Sequence, residues 1–548
     1  MNREVLIVVL ALAALYSNCG IPVAGGSSQQ GNGIVVGRVI SAEGTPSKGA
    51  HVYVRPTDYV SSPESTTGIG GEFDAVTDDA GCFSVSGILP GRYTVEANDR
   101  VSSAALIEQV VDERSDTVNV GVVDLAPYAR ITGFVSGAGQ SIPLYVQVRG
   151  LERLVTVESD GAFTIADLPE GTFDLRLTAA DTSIVPAELS GVDATAGTAV
   201  TVSIAAGWRY SRMLRLNTTA SGADVAGDVI DFPVLIRLTE NNFDFSRANG
   251  DGSDVRFTKA DTTFLPCEIE RWDGANRRAE LWVMVDTVHG DDSAQSLMMH
   301  WGNPDAVDML NPTLPFDTAL GFQGVWHLDG NGDGVSDVTA NEYDGRKRGN
   351  TVECGGAVGM AQYLDGSRDY IDMGNVCDPD AGSFTINAWI KKIGVNKIQT
   401  IASKSTGGSA AVSYGWLLQL DSDGALGIFA ATGEGSWGDV GTFVLTSNVW
   451  ITDSAWHHVA AVLDRSGLDS CRVFIDGRDV SSFPTAGGIA NLGSIVNDAP
   501  LRFGADANGN NAWEGALDEI SISFRARSPE YVRLCYMNRK SEDELVNW

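Results

Sequence analysis

The chain has little that a membrane or a nucleic acid could use. Its longest apolar run, residues 5–16, is about twelve residues, well short of the roughly 20 a helix needs to cross a bilayer. Lys and Arg number 38 against 71 Asp and Glu, a formal net charge of −33. Such a surface repels phosphate backbones, which excludes nucleic acid as a partner. Histidine occurs only six times and is scattered, so no metal cluster can be argued from histidine spacing. His-Glu-x-x-His, Gly-x-Ser-x-Gly and Cys-x-x-Cys are all missing, and with them the sequence marks of a zinc protease, a serine hydrolase and a redox or zinc pair. No tryptophan precedes Trp208, so the first third offers no indole on which a sugar ring could stack.

What is present is turn chemistry. The chain holds 62 Gly, with Asp, Asn, Ser and Thr spread between short β-branched runs, the make-up of many strands joined by tight turns. At 548 residues it is several domains long. The predicted fold is all-β, a string of β-sandwiches with very little helix. Arg3 and the apolar run after it read as a signal peptide over residues 1–19, which implies export. The residues leading to Cys19 resemble the lipobox of bacterial lipoproteins, with Leu15 four places before the cysteine. That resemblance implies acylation of Cys19, a lipid anchor and a place at the bacterial cell surface. Residues 20–33 have the composition of a flexible tether.

Two segments repeat each other. GCFSVSGILPGRYTVEA (81–97) and GAFTIADLPEGTFDLRL (161–177) share Gly, an aromatic, alternating apolar residues, Leu-Pro, Gly and a second alternating run. Each predicts part of a small antiparallel sandwich, one over 34–126 and one over 127–206. The pattern is similar to the carboxypeptidase regulatory-like domains of surface proteins, which implies spacers or weak binders. From 207 to 315, segments such as DFPVLIRL, LPCEIERWD and AELWVMVDTV resemble a bacterial domain of unknown function that commonly precedes laminin-G-like modules. Residues 316–548 carry VWHLDG, YLDGSRDYIDMG, FTINAWIKK, WHHVAAVLD, RVFIDG and ALDEISIS. Together these resemble the laminin-G-like, concanavalin A-like family, and imply a jelly roll as the working end.

Three chemistries compete for that module. Glucanases on the same jelly roll carry Glu-x-Asp-x-x-Glu, whose alternation puts three acids on one face. This sequence has no such spacing, and strand alternation separates Asp518 from Glu519, so the module is predicted to be non-catalytic. A structural calcium is the second reading. Asp329, Asn331, Asp333 and Asp337 fall at positions 1, 3, 5 and 9 of a Gly-rich loop, with the Val335 carbonyl at position 7, and Asp518 is expected to approach from the terminal strand. The third is carbohydrate recognition by Trp437 and Trp513 in polar loops, with Asn510 or Asn511 beside the latter. The expected partner is a polysaccharide, a surface glycan or a surface protein, with no small-molecule cofactor; the alternative is a purely structural spacer of the envelope. Four of the seven cysteines lie in the last module, where disulfides are expected. His457 and His458 are expected to be structural.

Overall fold

A computed structural model describes residues 33–548 except 62–72, 112–116, 137–142, 180–185, 206, 261–262, 304–305, 307–312, 407–413, 434–440, 468–469, 483–488 and 490–491. The fold is all-β: its helical elements include one α-helix, Pro529–Arg539, and the short 3-10 turns Phe245–Arg247 and Thr318–Leu320. The chain divides into two compact units, Met1–Gly207 and Trp208–Trp548.

The first unit uses one plan twice. Gly33–Ile40 pairs antiparallel with Cys82–Ile88 and parallel with Thr117–Asp124. Ala129–Ser136 pairs antiparallel with Ala162–Leu168 and parallel with Ala199–Ala205. The repeated sequence segments are the equivalent strand pairs Cys82–Ile88 then Gly91–Asn98 and Ala162–Leu168 then Gly171–Ala179, the two strands of each lying in different sheets. The Leu-Pro corner lets each strand cross from one sheet to the other. Alternation does the rest: Phe83, Val85 and Ile88, and likewise Phe163, Ile165 and Leu168, are buried.

The second unit begins with a sandwich. One layer is Val229–Thr239, Arg278–Val288 and Cys267–Asp273 in that order, and the other runs Tyr210–Leu216, Ser296–Trp301, Arg256–Lys259, Phe264–Leu265. The jelly roll follows as two eight-stranded sheets. In one, Glu514–Ser523 pairs on one side with Phe384–Lys392 and on the other with Met360–Asp365 and Phe322–Trp326. The other sheet includes Gln399–Ser405, Tyr414–Leu420, Ala425–Thr432 and Thr442–Trp450. Between them lies a core that includes Trp326, Phe384, Trp416, Phe443, Phe503 and Trp513.

The end of the chain does not stay with the jelly roll. Ser528 caps the helix by accepting from the Tyr531 N–H, and Pro529 fills its first position. Tyr531, Leu534 and Cys535, at helical spacing, enter the core of the preceding sandwich together with Leu545 and Val546. Val546–Asn547 then adds a strand beside Tyr210–Leu216. Each such buried side chain contributes about 1.5–3 kcal/mol. The two modules of this unit are therefore one folded body.

The expected disulfides of the last module do not form. Cys354, Cys377, Cys471 and Cys535 are free thiols, as is Cys267. Cys377 and Cys471 are packed in the jelly-roll core and Cys535 in the neighbouring core, where each serves as a small apolar side chain.

Candidate binding groove

A groove of 440 Å³ opens on the jelly roll between residues 366–367, 397–398 and 509–512. The last of these walls is a loop built on one carboxylate. Asp506 Oδ1 accepts from the N–H groups of Asn508 (2.9 Å) and Asn510 (2.8 Å), and its Oδ2 accepts from Asn511 Nδ2 at 3.0 Å. Asn511 adopts the left-handed region at φ 50°, which turns the chain back toward the sheet. Asn510 is exposed at the tip and Asn511 half-buried beneath it. Across the groove, Ser367 Oγ donates to Asp365 Oδ1 at 2.7 Å. Lys397 is ion-paired with Glu514 at 2.6 Å, and Ile398 supplies exposed apolar surface. Lys392 Nζ donates to the Ile451 carbonyl at 3.2 Å. That bond ties the start of the 393–398 wall to the end of Thr442–Trp450, where Trp450 is 56% exposed. An exposed rim of Ile393, Val395, Val449 and Trp450 results.

Of the residues expected to hold carbohydrate, Asn510 and Asn511 line this groove. Trp513 does not. Its indole is fully buried and its Nε1 donates to the Ala516 carbonyl at 3.3 Å, so no ring face is open to a sugar. The reversal at Asn511 ends the polar loop two residues earlier, and Trp513 already lies under the sheets. Trp437 lies outside the described residues, as does Cys19. Trp450 was missed because NVWI reads as continuous strand; the polar Thr-Asp-Ser that follows is the only mark that the strand is leaving the core.

The calcium loop differs from its expected geometry. Asp329, Asn331 and Asp333 are exposed, and Val335 is buried within a short strand paired with Gly345. Asp337 turns inward instead of toward the other acids. Its oxygens accept from the N–H groups of Val325, Thr339 and Tyr343 and from the Thr339 hydroxyl, at 2.8 to 3.0 Å. Lys347 faces Glu353, Asp329 and Asp333 with its ammonium and donates to the Gly330 carbonyl. A lysine thus meets the negative charge the loop gathers.

Asp518 belongs to a different group altogether. Its Oδ2 accepts from the Ala357 and Val358 N–H groups, and its carboxyl is repelled by Glu519 and Glu270. Simple alternation would separate Asp518 from Glu519. A bulge opposite Asn387 and Trp389, with Glu519 left-handed at φ 49°, carries both acids to one cluster. His327 lies at its centre: Nδ1 is 2.6 Å from Glu519 Oε1 and 3.6 Å from Glu270 Oε2, and Nε2 is 3.6 Å from Glu268 Oε1. Burial pushes Glu270 up to about 8, His327 and Trp282 opposing the shift and Glu519 adding to it. Burial works against charged His327, yet Glu519 and Glu270 hold it well above the usual histidine value.

His457 and His458 are held by their surroundings. His458 is fully buried against Trp389, with ring centroids 5.6 Å apart, and burial lowers it to about 3. His457 Nδ1 pairs with Asp476 at 2.8 Å, the largest influence holding its pKa up.

Residues 365–533 match the family model described as the concanavalin A-like lectin/glucanases superfamily, and residues 251–327 match the domain of unknown function DUF2341. The jelly-roll architecture and the first of these matches agree. No curated protein matches the chain. Among solved structures, it is similar to the binding domain of Paraclostridial Mosquitocidal Protein 1, at 15% identity and a TM-score of 0.31, over 40% of this chain and 52% of that one. It is also similar to domain 4 of the Geobacillus stearothermophilus extracellular arabinanase AbnA, solved with arabinotriose (18%, TM-score 0.27, 39% of this chain and 97% of that one). A third likeness is to the carbohydrate-binding module CBM40 of the Ruminococcus gnavus IT-sialidase, solved with sialyllactose (16%, TM-score 0.23, 28% and 83%). The chain spans about half the length of the first of these.

Proposed function

We propose that the chain is a non-catalytic binding protein of a bacterial cell surface, whose jelly roll holds carbohydrate in the groove at Asn510 and Ser367. The groove itself carries this reading. It combines an exposed amide, a hydroxyl, the Lys397–Glu514 pair and the apolar side chain of Ile398, which suits a ring with alternating hydroxyl and C–H faces. Glu514, the acid at its margin, is neutralised by Lys397, which suits recognition better than bond cleavage. In this proposal Cys19 bears the lipid anchor, residues 20–33 are the tether, and the two small sandwiches are spacers of the carboxypeptidase regulatory-like type. Calcium, where taken up, uses the exposed oxygens of Asp329, Asn331 and Asp333 and stabilises that loop.

Full-length protein applied to a glycan array, with and without a chelator, tests the reading. Retention on a polysaccharide that falls at least tenfold in Asn510→Ala supports it. Loss of retention with the chelator alone supports the calcium role. A second reading, a structural envelope spacer, is favoured by the burial of Trp326, Trp389, Trp416 and Trp513, which are core and not platforms. No retention under either condition decides for the spacer.

A further inference from the structure

The cluster around His327 has the composition of a metal centre and sits where two modules meet. Glu268 and Glu270 come from Cys267–Asp273 of the first sandwich, His327 follows the jelly-roll strand Phe322–Trp326, and Glu519 lies on Glu514–Ser523. A bulge at Glu270, between Ile269 and Arg271, faces the bulge at Glu519. One ligand atom from each of Glu270, His327 and Glu519 lies within 4.8 Å of the others. Their side chains are 1%, 4% and 2% exposed.

Buried polar atoms are normally paired. Here Glu268 Oε2, Glu270 Oε1, His327 Nε2 and Asp518 Oδ1 all lack a hydrogen-bond partner in one place. Glu270 and Glu519 face His327 and the guanidiniums of Arg237 and Arg539, while Asp518 lies against Glu519 and Glu270, and Glu268 against Glu519. Four carboxyl groups thus crowd one buried imidazole, and burying such groups without close partners is costly.

We propose that Glu270, His327 and Glu519 bind one divalent transition-metal ion of the zinc class, which fastens Cys267–Asp273 of the first sandwich to the jelly roll. The arrangement around the three ligands is that of a supported site. Trp282 Nε1 donates to Glu270 Oε2 at 2.8 Å, which leaves Oε1 for the ion. The same indole stacks on His327, with centroids 5.6 Å and planes 16° apart, and fixes the ring. Nδ1 faces Glu270 and Glu519, while Nε2 stands 3.6 Å from the carboxylate of Glu268, the kind of group that the free nitrogen of a metal-bound histidine usually meets. In a tetrahedral zinc site, ligand atoms stand about 3.3 Å apart, so shifts on the order of 1 Å close the three atoms on an ion. The ion displaces the proton shared by His327 and Glu519, which passes to solvent. An imidazole among the ligands disfavours calcium and magnesium, which take oxygen. Gly359 seals the site: a Cβ there would stand 2.4 Å from Glu270 Oε1, so the ion enters as the protein folds.

The experiment is elemental analysis and calorimetric melting of the full chain, refolded from denaturant with chelator, Zn²⁺ or Ca²⁺. The expected result is one Zn²⁺ per chain and a higher Tm with Zn²⁺ alone. Glu270→Gln and Glu519→Gln keep shape and lose charge. Each should weaken Zn²⁺ at least about 100-fold while melting no lower than chelator-refolded wild type, because repulsion is relieved. Glu268→Gln should weaken it about 10–100-fold. Refolded wild type without stoichiometric Zn²⁺, Co²⁺ or Mn²⁺, or Zn²⁺ uptake unchanged in both Gln variants, overturns the proposal. So does uptake of calcium alone, abolished by Asp329→Asn. None of these outcomes depends on glycan retention.

Discussion

Asn538 completes the backbone of Leu235. Its side-chain oxygen accepts from the Leu235 N–H at 2.7 Å and its amide donates to the Leu235 carbonyl at 3.0 Å, across 303 residues of sequence. Val229–Thr239 is the edge of its sheet, and Asn538 supplies the partner that a neighbouring strand would have given. Arg237 extends the clamp by donating to the Asn538 and Arg539 carbonyls. Asn538→Ala leaves two buried backbone groups unpaired, at about 1–3 kcal/mol each. Chemical denaturation of the full chain should therefore show the second unit destabilised by about 3 kcal/mol, with the first unit unchanged.

Two tryptophans of the jelly roll should respond in opposite ways. Trp450→Ala removes exposed rim surface, so the melting temperature should hold while retention on any glycan that binds falls several-fold. Trp513→Ala empties a core position and should cost about 3–5 kcal/mol. A Trp450 variant that melts as low as the Trp513 variant would remove Trp450 from the rim.

Acid should weaken the first sandwich of the second unit through His300. His300 is fully buried, its ring nitrogens 2.7 Å from Ser211 Oγ and 2.9 Å from Thr258 Oγ1, and burial lowers it to about 4. In the unfolded chain it takes up a proton near pH 6.5, while the folded chain resists until about 4. Its contribution is therefore complete above about 6.5 and is lost as pH falls toward 4, at most on the order of 3 kcal/mol. Melting curves of wild type and His300→Gln between pH 7 and 4 should converge as pH falls.

Thiol chemistry of the second unit should be that of a reduced protein. Denatured chain should yield at least five titratable thiols, at Cys267, Cys354, Cys377, Cys471 and Cys535. In the native protein Cys354 should be labelled first, since it alone of the five is only half-buried. Reductant should leave the melting of the second unit unchanged.

Much of the architecture was legible because strands and turns are local. Alternation around Asp-Gly and Leu-Pro corners is enough to mark the repeated strand pairs and the jelly-roll strands. The loop that carries Asn510 and Asn511 was legible for the same reason, since a Gly-rich polar run between strands has to be a surface loop. Oxygen spacing in the 329–337 loop was legible too, but spacing does not say which way a carboxylate turns. Asp337 went to the backbone of its own loop.

The amino-acid order by itself determined that this protein is a chain of β-sandwiches with an acidic surface, because period-two patterning, turn residues and charge act over a few neighbouring positions. Only the tertiary structure decided that Trp513 is core and Trp450 is rim, since burial depends on which sheet closes over a loop. It also decided that Glu268, Glu270, His327, Asp518 and Glu519 share one buried space. Those residues are separated by up to about 250 positions, and two bulges break the alternation that any reading along the chain must assume.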